Sequence, residues 1–271
     1  MKMSNQIVAF IGAGNMAKAL VGGMLNAKLF LPSRVRVADV DPLCLKCFET
    51  NFKVTGFRNN QAAVAGADIV VLAVKPQVLP GVLAELKDSL PAAALVVSIA
   101  AGVKTGFIAA RLRAGARVIR VMPNTAALVG KAATAFCCGS HVTEADTQQV
   151  ETMFRAVGVI VQVREDDMDA VTALSGSGPA YVFYLVEAML MAAAKMGLDK
   201  TVARKLSVAT VEGAAHLLAE TGLEPQELRR RVTSKGGTTE AAFAVLEKYQ
   251  VLEVLVAAKE AAQKRSRELT Q

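Results

Sequence analysis

Apolar and polar positions along the first half of the chain follow the order expected of strands and helices joined by short connections. Residues 7–11 are apolar throughout and predict a strand buried on both faces, and apolar positions then recur at helical spacing. Further strands are predicted at 35–39, 69–74, 95–99, 117–122, 132–138 and 159–163, with helices at 82–90, 107–113 and 144–157. Alternating units of this length predict a doubly wound parallel sheet.

From about residue 165 the pattern changes to helical periodicity alone. Helices are predicted at 179–197, 200–221, 225–232, 239–249 and 251–269. The first of them is apolar almost all round, so we expect every side of it to be buried. A helical domain finds such burial most easily as half of an interlocked dimer. The sequence therefore predicts two domains, 1–164 and 165–271, the second of which dimerises.

The turn after the first strand carries a phosphate-binding pattern. Gly12, Gly14 and Ala17 fit G-x-G-x-x-G/A between a strand and a helix, which is the context that the motif requires. Gly12 allows a tight turn, Gly14 lets the backbone approach a pyrophosphate, and Ala17 lets the helix pack closely. The N–H groups at the helix start then face the phosphates. A purely structural turn is the alternative, because glycine turns are common.

Asp39 closes the second strand, 25 residues after the second glycine of the pattern. A carboxylate there accepts hydrogen bonds from both ribose hydroxyls of a dinucleotide and repels a 2′-phosphate. It therefore favours NADH, with NADPH still usable. Arg36 and Arg58 are the counter-argument, because either side chain could reach a 2′-phosphate. Asp41 is expected to cap the helix that follows it.

The loops after three later strands are rich in small residues and proline. They are 73–76, 100–102 and 122–125. In a parallel sheet, ligands bind at the carboxyl ends of strands, where such loops let a flat cofactor lie against the backbone. Each loop alone is weak evidence, because loops commonly contain glycine and proline.

Charge and hydropathy change this interpretation little. The net charge is +7, but lysine and arginine are scattered, and the one dense cluster, 264–267, lies in the last helical turns, where cations complement the helix dipole. With three tyrosines the chain offers no aromatic platform for bases, so we expect anionic small molecules rather than nucleic acid. The longest apolar run, 180–194, contains Glu187 and is shorter than the roughly 20 residues of a membrane span. No segment resembles a signal peptide, and we expect no membrane partner.

Cysteine is sparse. Cys44 and Cys47 form a C-x-x-C, Cys137 and Cys138 are adjacent, and the two histidines lie in unrelated segments, so the spacing does not indicate a metal site. Cys44 and Cys47 are expected to lie on one helix as small apolar residues. The expectation is a reduced, cytoplasmic protein without a metal.

Two stretches of the second half have the composition of binding sites. Residues 175–179, Ser-Gly-Ser-Gly-Pro, precede the apolar helix and are expected to leave free N–H groups at its start, although a plain capping sequence is the alternative. Residues 233–239, Thr-Ser-Lys-Gly-Gly-Thr-Thr, combine glycine freedom, hydroxyls and a helix start. This second stretch favours a carboxylate site over an ordinary loop.

Taken together, these segments resemble the pyrroline-5-carboxylate reductase family over nearly the whole chain. The resemblance is carried by residues 12–16, 73–76, 98–102, 120–125 and 175–181, and most specifically by Pro225, Leu228, 232–239, Ala242 and 246–247. Phe243 departs from the family pattern, in which a smaller aliphatic residue is usual. The resemblance implies a Rossmann domain with a parallel sheet followed by an all-helical dimerisation domain, a homodimer sometimes assembled into a ring of five dimers.

The family's reaction is the NAD(P)H-dependent reduction of a cyclic imine, pyrroline-5-carboxylate, to proline. The resemblance implies that Thr239 hydrogen-bonds the ring nitrogen, while Gly237 and Thr238 through their backbone, and Ser234, hold the substrate carboxylate. Asn60 corresponds to an asparagine on the adenosine side. The implied cofactor contacts are Gly12, Ala13, Gly14, Asn15, Met16, Asp39, Asn60, Ala73, Val74, Lys75, Pro76, Ala100, Ala101 and Asn124.

Two other functions are compatible with a dinucleotide-binding domain of this kind. Oxidoreductases of the β-hydroxyacid dehydrogenase type place a lysine base in the helix after their glycine-rich stretch, and residues 180–186 contain no lysine. A non-catalytic, nicotinamide-binding regulatory protein would not require the intact Thr238-Thr239 pair. Both alternatives are therefore disfavoured by the sequence.

Overall fold

The computed structural model describes residues 3–270, which form two compact units. The first unit runs up to Pro179 and includes the chain from Ala262 onward, and the second is Ala180–Ala261. Residues 165–179 thus pack with the first unit. The domain boundary predicted between residues 164 and 165 stays a prediction.

An eight-stranded sheet forms the centre of the first unit, in the order β3-β2-β1-β4-β5-β6-β7-β8. The strands are β1 (Val8–Ile11), β2 (Val35–Ala38), β3 (Thr55–Phe57), β4 (Ile69–Leu72), β5 (Leu95–Ser98), β6 (Arg117–Met122), β7 (Ala132–Cys138) and β8 (Gly158–Gln162). The order around β1 is that of a doubly wound sheet, so the predicted fold class is confirmed. The prediction of a wholly parallel sheet is wrong in one place, because β7 runs antiparallel to β6.

Helices connect and cover these strands. In the first unit they are α1 (Asn15–Asn26), α2 (Pro42–Phe52), α3 (Asn60–Val64), α4 (Leu79–Leu86), α5 (Thr105–Ala109), α6 (Glu144–Arg155) and α7 (Met168–Val171). A π turn, Thr172–Gly176, follows α7 and leads to α8 (Gly178–Lys195). The remaining helices are α9 (Lys200–Thr221), α10 (Pro225–Arg231), α11 (Thr238–Lys248) and α12 (Val251–Leu269).

The differences from the sequence prediction fall on the shortest elements. Strand β3 and helix α3 were not predicted. They have only three and five residues, which is too short to display an alternating or a helical pattern. Helices α4 and α5 begin and end earlier than predicted. Each of these two helices follows a turn whose polar residues do not mark its first position.

Two apolar layers cover the two faces of the sheet. Phe10 of β1 belongs to the layer that includes residues of α1, α2 and α6. Leu72 of β4 belongs to the opposite layer, with residues of α3, α4 and α5. Strands β1, β4 and β5 are buried along their whole length, as apolar runs between two helical layers should be. The two helical layers leave the carboxyl ends of these parallel strands to continue into loops, and most of the predicted cofactor residues lie in those loops.

Helix α8 is not buried within the single chain. Only Ala193 of its residues is buried, while Phe183 is 62% and Tyr184 73% exposed. One copy of the chain therefore does not supply the expected burial, and its completion by a second copy stays a prediction. Residues 165–195, which contain α8, form the one helix among the described residues that is long and apolar enough to cross a membrane. Length and composition alone are weak evidence for that, because core helices of soluble proteins pass the same test.

Candidate functional site

The glycine turn after β1 is shaped by a requirement for glycine at position 12. Gly12 has φ +105°, and a Cβ there would lie 2.7 Å from the carbonyl oxygen of Ala73. Its N–H donates to the carbonyl of Ala38 at 2.8 Å, so the turn is held between the ends of the two strands that flank β1. No side chain fits this position without moving the backbone.

Gly14 serves a different purpose. It is the N-cap residue of α1, and no side chain caps the helix start. A Cβ built on Gly14 would meet nothing within 4 Å, so the space in front of the helix is open. Open space beside the uncapped N-terminus of a twelve-residue helix fits a pyrophosphate, which backbone N–H groups and the helix dipole favour.

Asp39 lies beside this turn and already holds part of it. One carboxylate oxygen, Oδ2, accepts a hydrogen bond of 2.7 Å from the N–H of Ala13, and Oδ1 accepts one of 2.9 Å from the N–H of Asp41. A carboxylate has further lone pairs, so contact with ribose hydroxyls stays a prediction compatible with this geometry. Asp41 caps α2 through the N–H of Leu43, as predicted.

The loops after β4 and β5 lie at the same edge of the sheet as the glycine turn, because β1, β4 and β5 are parallel neighbours. The N–H of Ala73 donates to the carbonyl of Ile11 at 2.8 Å, and that of Ala100 to Oγ of Ser98 at 3.3 Å. The structure thus brings together residues 12–16, 39, 73–76 and 100–101. Their individual contacts with a cofactor stay predictions.

Asn60 and Asn124, the other two predicted cofactor residues, have their side-chain amides engaged by protein. Nδ2 of Asn60, in the first turn of α3, donates to Glu85 of α4 at 2.8 Å. Oδ1 of Asn124 accepts from the N–H groups of Ala126 and Ala133, and Nδ2 donates to the carbonyl of Ser175 at 3.0 Å. Asn124 therefore ties the loop after β6 to the π turn.

The π turn differs from the helix start that the sequence analysis expected. The N–H of Ser177 donates to the carbonyl of Thr172 at 2.8 Å, so it is not free as expected. Gly176 packs closely against Met122, because a Cβ at this position would lie 2.7 Å from Cε of that side chain, which would have to move. π turns are rare and occur frequently at functional sites.

A cavity of ≈ 330 Å³ lies beside the π turn, within the first unit. We call it the π-turn cavity. Its wall includes Pro76 after β4, Ala101 after β5, Thr172, Ser177 and, from α12, Arg265. Sequence reasoning marked residues 175–179 as chemical but assigned none of Thr172, Ser177 or Arg265. Of these three, Ser177 alone lies in the stretch whose composition pointed to a binding site, and no sequence pattern linked Thr172 or Arg265 to it.

In the second unit, the loop 233–239 is closed by its own hydrogen bonds. The N–H of Gly236 donates to Oε2 of Glu240 at 2.7 Å, and that of Gly237 donates to the carbonyl of Ser234 at 3.0 Å. The Gly237 donor predicted for the substrate is therefore used within the loop. Gly237 is the N-cap residue of α11, which no side chain caps, and Thr239 lies in its first turn.

Charged residues of α10 lie next to this loop. Hydrogen bonds from Arg230 and then Arg231 lower the pKa of Glu227 to about 2. A cavity of ≈ 470 Å³ in the same unit is lined by Arg230, Thr233 and Glu240, among others. The surroundings of the loop therefore combine hydrogen-bond donors that could bind an anion with carboxylates held by hydrogen bonds.

The cysteines show no sign of metal chemistry. All four are free thiols, and in the stretch from residue 3 to residue 270 no three His, Cys, Asp or Glu side chains are grouped to hold a metal ion. Burial, and then the charge of Glu165, raise the pKa of Cys137 to about 12. That thiol is therefore neutral and unreactive at physiological pH.

The doubly wound sheet, the glycine turn at its switch point and the helical second unit define a class: Rossmann-type oxidoreductases that use a nicotinamide dinucleotide. Two family models match the chain in this order. Residues 7–102 match "NADP oxidoreductase coenzyme F420-dependent", and residues 165–269 match "Pyrroline-5-carboxylate reductase dimerisation".

Whole-chain relatives narrow this class to one family. A pyrroline-5-carboxylate reductase of Methanosarcina acetivorans is 42% identical over 98% of this chain and 99% of its own. A solved pyrroline-5-carboxylate reductase from Coxiella burnetii is 39% identical, with a TM-score of 0.92 over the full length of both chains. The enzyme from Plasmodium falciparum, solved with NADP bound, is 29% identical over 99% of this chain and all of its own, with a TM-score of 0.91. The chain belongs to the pyrroline-5-carboxylate reductase family.

Proposed function

We propose that this chain performs the reaction of its family, the reduction of L-1-pyrroline-5-carboxylate to L-proline by NADH or NADPH, the final step of proline biosynthesis. The observation that carries the proposal is the presence, in one chain, of an open glycine turn at the start of α1 and of the loop 233–239 before α11. Relatives that share both halves over their full length carry the same name.

The cofactor supplies a hydride from C4 of its nicotinamide to the imine carbon. The chain's own residues bind and orient the two partners. The N-terminus of α1 holds the pyrophosphate, and Gly14 leaves room for it. A protonated imine is already electrophilic, so no charged acid, metal or covalent nucleophile is required. Orientation and one positioned polar contact are sufficient.

That polar contact is assigned to Thr239, whose hydroxyl forms a hydrogen bond with the ring nitrogen of the substrate. Ser234 and the N–H of Thr238 hold the substrate carboxylate at the uncapped start of α11. The N–H of Gly237 serves instead to close the loop through the Ser234 carbonyl. Glu240, by accepting from Gly236, fixes the same loop from the other side.

Asp39 sets the preference between the two cofactors. Its carboxylate, held next to the glycine turn by Ala13 and Asp41, would face the 2′-position of the adenosine ribose. Two like charges about 4 Å apart repel by a few kcal/mol near a protein surface, which supports a preference for NADH. Arg36 is less available as a rescuing cation than the sequence suggested, because it donates to the carbonyls of Ala63 and Ala65.

The match to a dimerisation family model supports an oligomer, and the name shared by the relatives supports a small-molecule substrate. The finer assignment, a homodimer in which α8 is covered by a second copy, rests on the exposed apolar side chains of that helix. Further assembly into a ring of five dimers, a cytoplasmic location and the absence of nucleic-acid and membrane partners complete the proposal.

The test is the loss of absorbance at the reduced nicotinamide band when purified protein meets pyrroline-5-carboxylate. Each cofactor is tried separately, and the variant Thr239→Ala is run beside the wild type. Turnover with either cofactor supports the proposal. Cofactor binding without turnover would instead identify a non-catalytic nicotinamide-binding protein.

A further inference from the structure

We propose that the hydroxyl of Ser177 accepts a hydrogen bond from the carboxamide nitrogen of the nicotinamide, in the π-turn cavity. This inference rests on the proposed function only in its choice of a nicotinamide cofactor. It makes Ser177 a cofactor-positioning residue, which neither the glycine pattern nor the C-terminal loop provides.

The strand order decides which half of the cofactor reaches the cavity. In the order β3-β2-β1-β4-β5, strands β2 and β4 lie on opposite sides of β1. The pyrophosphate binds at the turn after β1, and the adenosine ribose lies on the β2 side, beside Asp39. The other half of the dinucleotide must therefore extend over the ends of β4 and β5. Pro76 and Ala101, which follow these two strands, form part of the wall of the π-turn cavity.

Ser177 is the serine of this segment whose hydroxyl is left for a ligand. Thr172 Oγ1 donates to the carbonyl of Met168 at 2.8 Å, and Ser175 Oγ donates to that of Val171 at 3.1 Å. For Ser177, which lines the cavity, the structure gives the hydroxyl no hydrogen-bond partner within residues 3–270. Its N–H is fixed by the π turn, so the side chain starts from a rigid backbone.

The other polar groups of the cavity decide the direction of the hydrogen bond. A carboxamide presents one acceptor, its carbonyl oxygen, and one donor group, its NH₂. Arg265 already donates to Glu268 at 2.9 Å and can only donate, so its remaining N–H groups suit the carbonyl side. The NH₂ group then requires an acceptor. Gln77 also lines the cavity and carries one, but its side chain is exposed, whereas Ser177 is half-buried and offers its hydroxyl from a fixed backbone. With both ends of the carboxamide bound, one face of the nicotinamide is presented for hydride transfer.

The experiment measures equilibrium binding, so it does not depend on turnover. Dissociation constants are determined by calorimetry for NAD⁺, for its 3-acetylpyridine analogue, which lacks the NH₂ group, and for ADP-ribose, which lacks the nicotinamide. Wild type, Ser177→Ala and the matched control Ser175→Ala are compared. The control removes a hydroxyl from the same segment that is bonded to Val171.

We expect Ser177→Ala to weaken NAD⁺ binding about three- to tenfold, as for one lost hydrogen bond, and to leave the acetylpyridine analogue and ADP-ribose unaffected. Ser175→Ala should bind all three like the wild type. No change for NAD⁺, or an equal loss for NAD⁺ and the analogue, would overturn the assignment. Failure of the proposed function would look different, because the wild type would then bind NAD⁺ without reducing pyrroline-5-carboxylate.

Discussion

The carboxylate of Asp39 accepts a hydrogen bond of 2.7 Å from the backbone N–H of Ala13, the residue between the two glycines of the dinucleotide turn. The residue assigned to the ribose is thus also a brace for the pyrophosphate turn. Substitutions at this position act on two properties at once, and the choice of substitution separates them.

Asp39→Asn keeps a carbonyl oxygen for the Ala13 N–H but removes the negative charge. We expect the ratio of kcat/KM for NADPH to kcat/KM for NADH to rise about tenfold or more, because the repulsion of the 2′-phosphate is lost. Steady-state kinetics with both cofactors measures it. Asp39→Ala, which also loses the brace, should in addition weaken binding of both. A wild type that prefers NADPH, with no gain in the Asn variant, would show that Asp39 does not face the ribose.

Thr239→Ala is expected to lower kcat/KM about 10²-fold, on the order of 2–3 kcal/mol, because one positioned polar contact is lost. The dissociation constant of the cofactor should barely change. Thr210→Ala is a matched control, because the Thr210 hydroxyl donates to the Leu206 carbonyl within α9. Full turnover in the Thr239 variant would show that Thr239 has only a structural role in the first turn of α11.

Asn124→Ala should destabilise the protein by about 2–4 kcal/mol, because Asn124 is buried and its side chain makes three hydrogen bonds. Urea denaturation measures the free energy of unfolding. Asn59→Ala removes one exposed helix cap on α3 and should cost only about 1 kcal/mol. Equal losses in the two variants would mean that the link between Asn124 and the π turn carries little stability.

Met189→Glu tests the dimer. Met189 lies on α8, and the covering second copy would bury the new charge without a partner, which costs about 3–5 kcal/mol. We expect the wild type to sediment as a dimer or larger assembly at micromolar concentration and the variant to dissociate. A monomeric wild type contradicts the proposed covering of α8.

The Cys137 thiol gives a prediction about pH. Its pKa is raised from 9.0 to about 12, so below that value the neutral form dominates and the thiolate fraction rises about tenfold per pH unit. Alkylation at pH 8, mapped by peptide mass spectrometry, should label half-buried Cys47 long before Cys137. Equal labelling of the two in the folded protein would contradict this environment.

Hydrophobic patterning was sufficient to predict β1 and the helices of the second half, and the glycine motif predicted the turn after β1, because each of these is a local pattern. It did not predict how the side chains of Asp39 and Asn124 are used. Their partners, Ala13 and Ser175, lie 26 and 51 residues away along the chain. The π turn was also missed, since an i→i+5 bond leaves no residue pattern that separates it from an ordinary helix start.

The antiparallel direction of β7 has a consequence for the position of Ser177 relative to the sheet. Because β7 and β8 run against β6, the chain leaves the sheet at the edge opposite the cofactor loops, and the helical stretch that follows has to cross back. At the start of this stretch, Glu165 accepts hydrogen bonds from the N–H and the hydroxyl of Thr105. At its end, the side chain of Asn124 donates to the carbonyl of Ser175. About ten helical residues rise roughly 15 Å, close to the height of a five-residue strand. The helical stretch is therefore held by hydrogen bonds at both ends. The length of the strands then sets how far Ser177 lies from the side of the sheet at which β8 ends.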